Sequence, residues 1–278
     1  MDTEVKSQAR HDLLLLVPAY NEEDRIEPVL REFCFYFREH FFGTFRIVVV
    51  LNGCRDNTLG VVERVGREME EVRHLNFPDP IGKGGALIEG LKLAPSADVI
   101  GYVDADGATG PAAFLSLLPH LSGVDCVIGS RWMEGAVLHQ SQPWTRRLFS
   151  RSFHAIVQGL FWMGILDTQC PAKVMRRSAV EAVHDSLRIA DLAFDVNLLY
   201  ALKRRGLGVL EVPIEWTDKM GSTVTRSLLR SSLVMFLSVV RLRLVYSPFY
   251  GWLGPLRPLE RWVYGKLRAP VPRSGMDR

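Results

Sequence analysis

Apolar positions in the first 130 residues alternate between two rhythms. Leu13–Val17 is an unbroken apolar run stopped by Pro18, the pattern of a strand buried on both faces. Ile26, Val29, Leu30, Phe33 and Phe37 then recur at helical spacing and predict one apolar helix face. The same alternation repeats. Ile47–Leu51 predicts a second strand, Asn52–Asn57 a polar turn, and the following helix begins where Thr58 is placed to cap it. A short strand near Val72–Asn76 leads through the loop Phe77–Gly85 into a helix over Ala86–Leu93. Val99–Val103 is another strand and runs straight into Asp104. Pro111 opens a helix at a favoured first-turn position, and Cys126–Gly129 is one more strand.

Repeated strand–turn–helix units predict an α/β fold, a mostly parallel sheet flanked by helices. Ligands of such sheets bind beyond the carboxyl ends of the strands. The polar clusters Tyr20–Asn21–Glu22, Asn52, Asp104–Asp106 and Arg131 fall at those ends, which points to a nucleotide-type site. The second half is less regular. Trp144–Met163 reads as one long helix, followed by Asp167–Thr168–Gln169–Cys170. Phe194–Arg205 reads as a helix, Val209–Val212 as a strand, and Leu228–Tyr246 is strongly apolar with arginines at both ends.

Composition narrows the class. At 278 residues, 47% hydrophobic and 23% charged, the chain is a folded protein of one large or two small domains. Cys34, Cys54, Cys126 and Cys170 form no CxxC pair, which fits a reducing compartment without disulfides or zinc. The N-terminus shows no secretory signal, so a cytoplasmic location is expected. Charge is unevenly spread. From Arg226 onward there are 10 Lys or Arg against 2 acids, leaving 24 against 29 before it. An acidic body over residues 1–226 and a basic segment over 227–278 are therefore expected, the latter meeting an anionic surface. Ser231–Val240 is too short an uncharged run to span a bilayer, which needs about 20 residues. With Arg226, Arg230, Arg241 and Arg243 beside it and Tyr246, Tyr250, Trp252, Trp262 and Tyr264 after it, it predicts an amphipathic helix at a membrane interface. The alternative is a C-terminal helix packed on the domain. A nucleic-acid partner is not expected, because the apolar stretch would serve no purpose there.

Several residues suggest chemistry. Asp104 and Asp106 place two carboxylates at a strand end, suited to a ribose hydroxyl and to Mg²⁺ or Mn²⁺ bridging a diphosphate. Such a pair is common by chance; its position after a buried strand gives it weight. Gly82–Lys83–Gly84–Gly85 precedes a helix and can meet phosphate, although it lacks the spacing of a Walker A loop. Arg131, Arg146, Arg147 and Arg151 offer bidentate phosphate contacts, Arg131 above all because it follows a strand end. Asp167 and Asp195 lie in apolar surroundings, as helix caps or as functional acids. The 7 histidines show no metal-ligand spacing.

In order along the chain come Val17–Pro18–Ala19–Tyr20–Asn21–Glu22–Glu23, Gly82–Lys83–Gly84–Gly85–Ala86, Asp104–Ala105–Asp106–Gly107–Ala108–Thr109, Gly129–Ser130–Arg131 and Asp167–Thr168–Gln169–Cys170, with Val212–Pro213–Ile214–Glu215–Trp216 beyond. This series resembles the inverting family 2 glycosyltransferases, in the branch that makes polyprenyl-phosphate sugars. Dolichyl-phosphate β-glucosyltransferases are the most similar and dolichyl-phosphate mannose synthases next. The resemblance covers about residues 12–224 and implies a GT-A fold, a UDP- or GDP-sugar donor and a polyprenyl phosphate acceptor. It implies donor contacts from Pro18, Tyr20, Glu22, Asn52, Lys83 and Asp104, and metal contacts from Asp104, Asp106 and Gln169. Arg131, Arg146 and Arg147 would meet the acceptor phosphate, and Asp106, Asp167, Asp195 and Arg131 would serve catalysis. Three departures stand out: Leu51–Asn52 where two aspartates are usual, Pro171–Ala172 where Gly-Phe is common, and no segment long enough to anchor in a membrane. Transfer to a soluble hydroxyl, a sugar-1-phosphate nucleotidyltransferase and a non-catalytic nucleotide-sugar-binding module are the competing readings.

Overall fold

A computed structural model describes residues 11–139, 144–189, 191–217 and 228–247. In chain order the elements are β1 (His11–Ala19), α1 (Ile26–His40), β2 (Gly43–Asn52), α2 (Thr58–Glu68), β3 (Val72–Phe77), α3 (Lys83–Leu91), β4 (Val99–Tyr102), α4 (Pro111–Leu115), β5 (Cys126–Ser130), β6 (Val137–Leu138), α5 (Trp144–Phe161), β7 (Lys173–Arg176), α6 (Arg177–Val183), α7 (Phe194–Arg204), β8 (Val209–Pro213), β9 (Glu215–Trp216) and α8 (Leu228–Val245). The main sheet has the order β3-β2-β1-β4-β7-β5-β8, and β6 pairs with β9 in a separate two-stranded ribbon. Only β7 opposes its neighbours β4 and β5; every other pairing is parallel.

Alternation along the strands builds a core on each side of the sheet. Leu13, Leu15, Val17, Ile47, Val49 and Leu51 face the helices α1, α2 and α4, where Phe33, Phe37 and Phe114 interlock at centroid separations of 5.5–6.4 Å. Leu14, Leu16, Val48 and Val50 face α3, α5, α6 and α7. This is why β1 reads as an unbroken apolar run: it is central, between β2 and β4, and both faces are covered. The crossover from β1 goes to one side, to β2, and the later return goes to the other, to β4. The crevice between the carboxyl ends of β1 and β4 is thus the place where such a sheet opens to a ligand.

The inserted strand β7 carries a lysine into this core. Lys173 sits across from Tyr102 on β4 and Ile128 on β5. Its side chain is fully buried, and its ammonium has a complete set of partners. It donates to Asp195 Oδ1 on α7 at 2.6 Å, to the Thr168 carbonyl at 3.3 Å and to the Cys170 carbonyl. Tyr102 donates its hydroxyl to the same Asp195 oxygen. Burial alone would raise the Asp195 carboxyl, but the charges of Lys173 and Lys83, with the Lys173 and Tyr102 hydrogen bonds, hold it below the ordinary carboxylate range.

In its described part the C-terminal segment packs on the domain, as the alternative expectation had it. Helix α8 does not lie apart from the domain: Ser238, Val239 and Leu242 are buried, the two apolar ones within the same core as α5 and α7. Ser238 Oγ bonds Asp191 Oδ2 at 2.5 Å, and Tyr246 donates to the Ser186 carbonyl while accepting from Asn197. Tyr246 and Phe161 both pack edge-on to Tyr200. The apolar residues expected to face lipid are thus partly used in docking, although Phe236 and Leu244 stay exposed on the outer side. Arg226, Tyr250, Trp252, Trp262 and Tyr264 lie outside the described residues. Among the described residues no helix is long and apolar enough to cross a membrane.

Lys173→Met is expected to cost about 3–5 kcal/mol in urea unfolding, because it leaves a buried carboxylate without its counter-charge. Adding Asp195→Asn should recover part of that loss while keeping an acceptor for Tyr102. A single variant as stable as the parent would show that Asp195 is solvated or neutral in the folded protein.

Candidate active site

The loops after β1, β2 and β4 meet at one end of the sheet. Asn21, the loop's turning point, has φ +54, a left-handed conformation that asparagine tolerates, and its Oδ1 accepts the Arg55 N–H at 2.8 Å. The Glu22 N–H donates to Thr58 Oγ1 at 2.8 Å, and the Asn57 N–H donates to Glu23 Oε2 at 2.7 Å. Thr58 therefore ties two loops together, with its own hydroxyl on Asp56, instead of capping α2 as expected. Asn52 does similar work: its Oδ1 accepts the N–H groups of Ile81 and Gly82 at 2.7 and 3.0 Å, which fixes the entry to α3. Gly53 needs to be glycine. It has φ +64, and a Cβ there would lie 2.7 Å from the Pro80 nitrogen.

These loops enclose an open pocket of about 260 Å³ lined by Pro18, Ala19, Tyr20, Glu22, Asn52, Lys83, Asp104, Ala105, Asp106 and Leu192. All six residues expected at the donor are in this lining. Lys83, the first residue of α3, places Nζ 2.5 Å from Asp104 Oδ1. Glu22 pairs with Arg25 at 2.6 Å. Burial raises the Glu22 carboxyl, and Arg25 offsets this only in part. Asp106 has no ion pair among the described residues; its Oδ1 accepts the Ala108 N–H at 2.9 Å. Burial first, and the neighbouring Asp104 charge second, raise its carboxyl above the usual range.

The other expected residues are arranged differently. The guanidinium edge of Arg131 is engaged by Asp167: Nε donates to Oδ2 at 2.7 Å and Nη2 to Oδ1 at 2.9 Å, with the backbone N–H on Oδ2 at 3.1 Å. Trp216 packs 5.2 Å from the guanidinium carbon. The bidentate fork expected for an acceptor phosphate is thus already used, and Nη1 is the end nitrogen outside that pairing. Asp167 is buried, which opposes its ionisation, yet the Arg131 charge and hydrogen bonds lower its pKa. The Asp167 backbone N–H donates to Glu211 Oε1 at 2.8 Å. Asp195 is sealed with Lys173. Gln169 lies outside the pocket lining, and its buried Nε2 has no hydrogen-bond partner among the described residues. Arg146 and Arg147 fall within α5, but their side chains lie outside the described residues.

A divalent cation fits Asp104 and Asp106. Both are in the pocket, and Asp106 is a carboxylate in need of positive charge. No group of three His, Cys, Asp or Glu able to hold a metal occurs among the described residues. That suits an ion completed by phosphate and water rather than by a protein cage. Sequence reasoning missed Lys173 and Tyr102, because a buried lysine and a surface lysine read alike. The Arg131–Trp216 contact joins two recognised motifs, but nothing in their spacing announces it.

The sequence profile described as "Glycosyl transferase family 2" matches residues 15–183. The chain is 35% identical over 214 residues to a dolichyl-phosphate beta-glucosyltransferase of Trichomonas vaginalis, covering 73% of this chain and 63% of that protein. It is 32% identical over 228 residues to the dolichyl-phosphate beta-glucosyltransferase of Drosophila melanogaster, covering 77% and 69%. It thus spans about two thirds of the length of these relatives. Among solved structures it is similar to glucosyl-3-phosphoglycerate synthase from Mycobacterium tuberculosis in complex with Mn²⁺, UDP-glucose and phosphoglyceric acid, with a TM-score of 0.62 and 17% identity, covering 84% of this chain and 80% of that one. At that identity the likeness speaks for the fold, a GT-A-like α/β arrangement. The chain belongs to glycosyl transferase family 2 and is a glycosyltransferase.

Proposed function

We propose that the strand-end pocket binds the diphosphate of a UDP- or GDP-sugar and that the protein transfers its hexose, with inversion, to a polyprenyl phosphate. The observation that carries the acceptor half is the state of the two acids beyond the pocket. Asp167 and Asp195 are both buried, ion-paired and held ionised below the usual carboxylate range. Neither is built to collect a proton near neutral pH. A hydroxyl acceptor needs such a base, whereas a phosphate monoester, with a second pKa of about 6, is already largely an anionic nucleophile.

Asn52, Tyr20 and Pro18 line the donor end, and Lys83 with the N-terminus of α3 supplies positive charge where the diphosphate leaves. A divalent cation held by Asp104 and Asp106 would supply Lewis-acid stabilisation of that leaving charge. The sugar carbon becomes oxocarbenium-like as the acceptor attacks from the opposite face. Arg131, oriented by Asp167 and Trp216, retains Nη1 to steer an anionic acceptor.

The second reading, transfer to a soluble hydroxyl, rests on Glu22. It lines the pocket with its carboxyl raised by burial, the direction that favours a proton acceptor. The T. vaginalis and D. melanogaster relatives are named for a dolichyl-phosphate acceptor, which supports the first reading. We extend it to location: residues 227–278 form a basic segment that holds the domain peripherally on the cytoplasmic face of an anionic membrane, and residues 1–226 form the catalytic domain. The outward Phe236 and Leu244 of α8 fit that placement.

Incubation with UDP-glucose or GDP-mannose, Mn²⁺, and either a short polyprenyl phosphate or a soluble hydroxy acid should give product with the lipid phosphate. EDTA and Asp106→Ala should each lower turnover by roughly 10²-fold or more, the scale of losing a principal electrostatic stabiliser. Product on the hydroxy acid alone would transfer the assignment to the second reading. For the membrane placement, the protein should sediment with anionic vesicles, less so as salt rises, and lose most of this on deletion of residues 248–278, which leaves the docked helix α8 in place. Equal sedimentation of the truncated protein would contradict it.

A further inference from the structure

We propose that Lys83 occupies the cation position on Asp104 in the donor-free protein and is exchanged for a divalent cation when a nucleotide diphosphate draws its ammonium away. The proposal rests on the nucleotide-sugar reading above and concerns how donor and metal binding are coupled.

Three ion pairs balance the carboxylates around the pocket: Glu22–Arg25, Asp104–Lys83 and Asp195–Lys173. They differ in access. The Lys173 and Asp195 side chains are 0% and 4% exposed, while those of Lys83 and Asp104 are 24% and 31% exposed, within the pocket lining. Only an open pair of this kind can exchange partners without unfolding the core. The backbone of Lys83 is nevertheless fixed. Asn52 holds the two N–H groups before it, and the Ala86 N–H bonds the Gly82 carbonyl at 2.9 Å. What can move is the four-carbon stem, which swings a point charge about a set anchor.

Asp104 cannot serve the ammonium and a dication equally well, since the two cations repel at that range. A bound diphosphate changes the balance. It offers Lys83 more negative charge than one carboxylate, beside the helix N-terminus that already favours anions. As the ammonium leaves, Asp104 and the ion-pair-free Asp106 both become open to the dication. Linkage then requires each ligand to favour the other.

Two titrations test this: Mn²⁺ alone, followed by electron paramagnetic resonance of free ion, and UDP in EDTA, followed by calorimetry. Lys83→Met should bind Mn²⁺ roughly fivefold more tightly than the parent, the scale of a partly exposed ion pair. The same variant should bind metal-free UDP more weakly by a similar factor. Lys83→Gln, which keeps a polar end without the charge, should show both changes. Opposite signs for the two ligands are the signature, since general damage to the pocket would weaken both. Metal affinity unchanged or weakened in both variants overturns the exchange, while parent binding of UDP and Mn²⁺ leaves the functional reading standing. A parent protein that binds neither ligand overturns that reading and the exchange with it.

Discussion

Carboxylates gathered at the end of a buried sheet must each find positive charge, and that requirement organises this molecule. Glu22, Asp104 and Asp106 line the partly buried pocket and Asp195 lies in the core behind it, so uncompensated charge is costly there. Arg25, Lys83 and Lys173 answer three of the four. Among the described residues Asp106 has only a backbone N–H, and burial first, with the Asp104 charge second, raises its carboxyl. On the function proposed above, a divalent cation arriving with the donor would complete the set.

The same logic separates a structural layer from a working layer. Lys173 closes the Thr168–Cys170 turn onto Asp195, and Asp167 clamps Arg131 beside Trp216. These side chains are largely buried, and their ion pairs hold the Asp167 and Asp195 carboxyls below the usual range. They are suited to hold this side of the fold in shape rather than to move protons. Tyr20, Asn52, Lys83, Asp104 and Asp106 face the open pocket, where partners can change. Helix α8 supports that pocket indirectly. Its Ser238 bonds Asp191, next to the pocket-lining Leu192.

Much of the pocket lining was legible in the sequence, for a physical reason. A parallel strand buried on both faces leaves an apolar run, and the polar residue that ends it must lie at the sheet's carboxyl edge. Leu13–Val17 before Tyr20, Ile47–Leu51 before Asn52 and Val99–Val103 before Asp104 all obey this. The cluster around Arg131, Asp167 and Lys173 was not legible in the same way. Strand β7 is four residues long, begins with a lysine and runs against its neighbours, so neither periodicity nor composition marks it. Arg131 was found by its position after β5, but its partner lies 36 residues away, and only the fold shows the fork engaged. For the apolar stretch 228–246 a membrane interface and packing on the domain both stayed open, because hydrophobicity alone does not distinguish docking on a core from docking on a membrane.

The most direct test of the account is a crystal structure with UDP and Mn²⁺, using the anomalous signal of manganese to place the ion. The account predicts one manganese peak within bonding distance of Asp106 and the diphosphate, with Asp104 beside it and the Lys83 ammonium moved onto phosphate. A diphosphate bound away from the β1–β4 crevice, or a manganese peak remote from both aspartates, would contradict it.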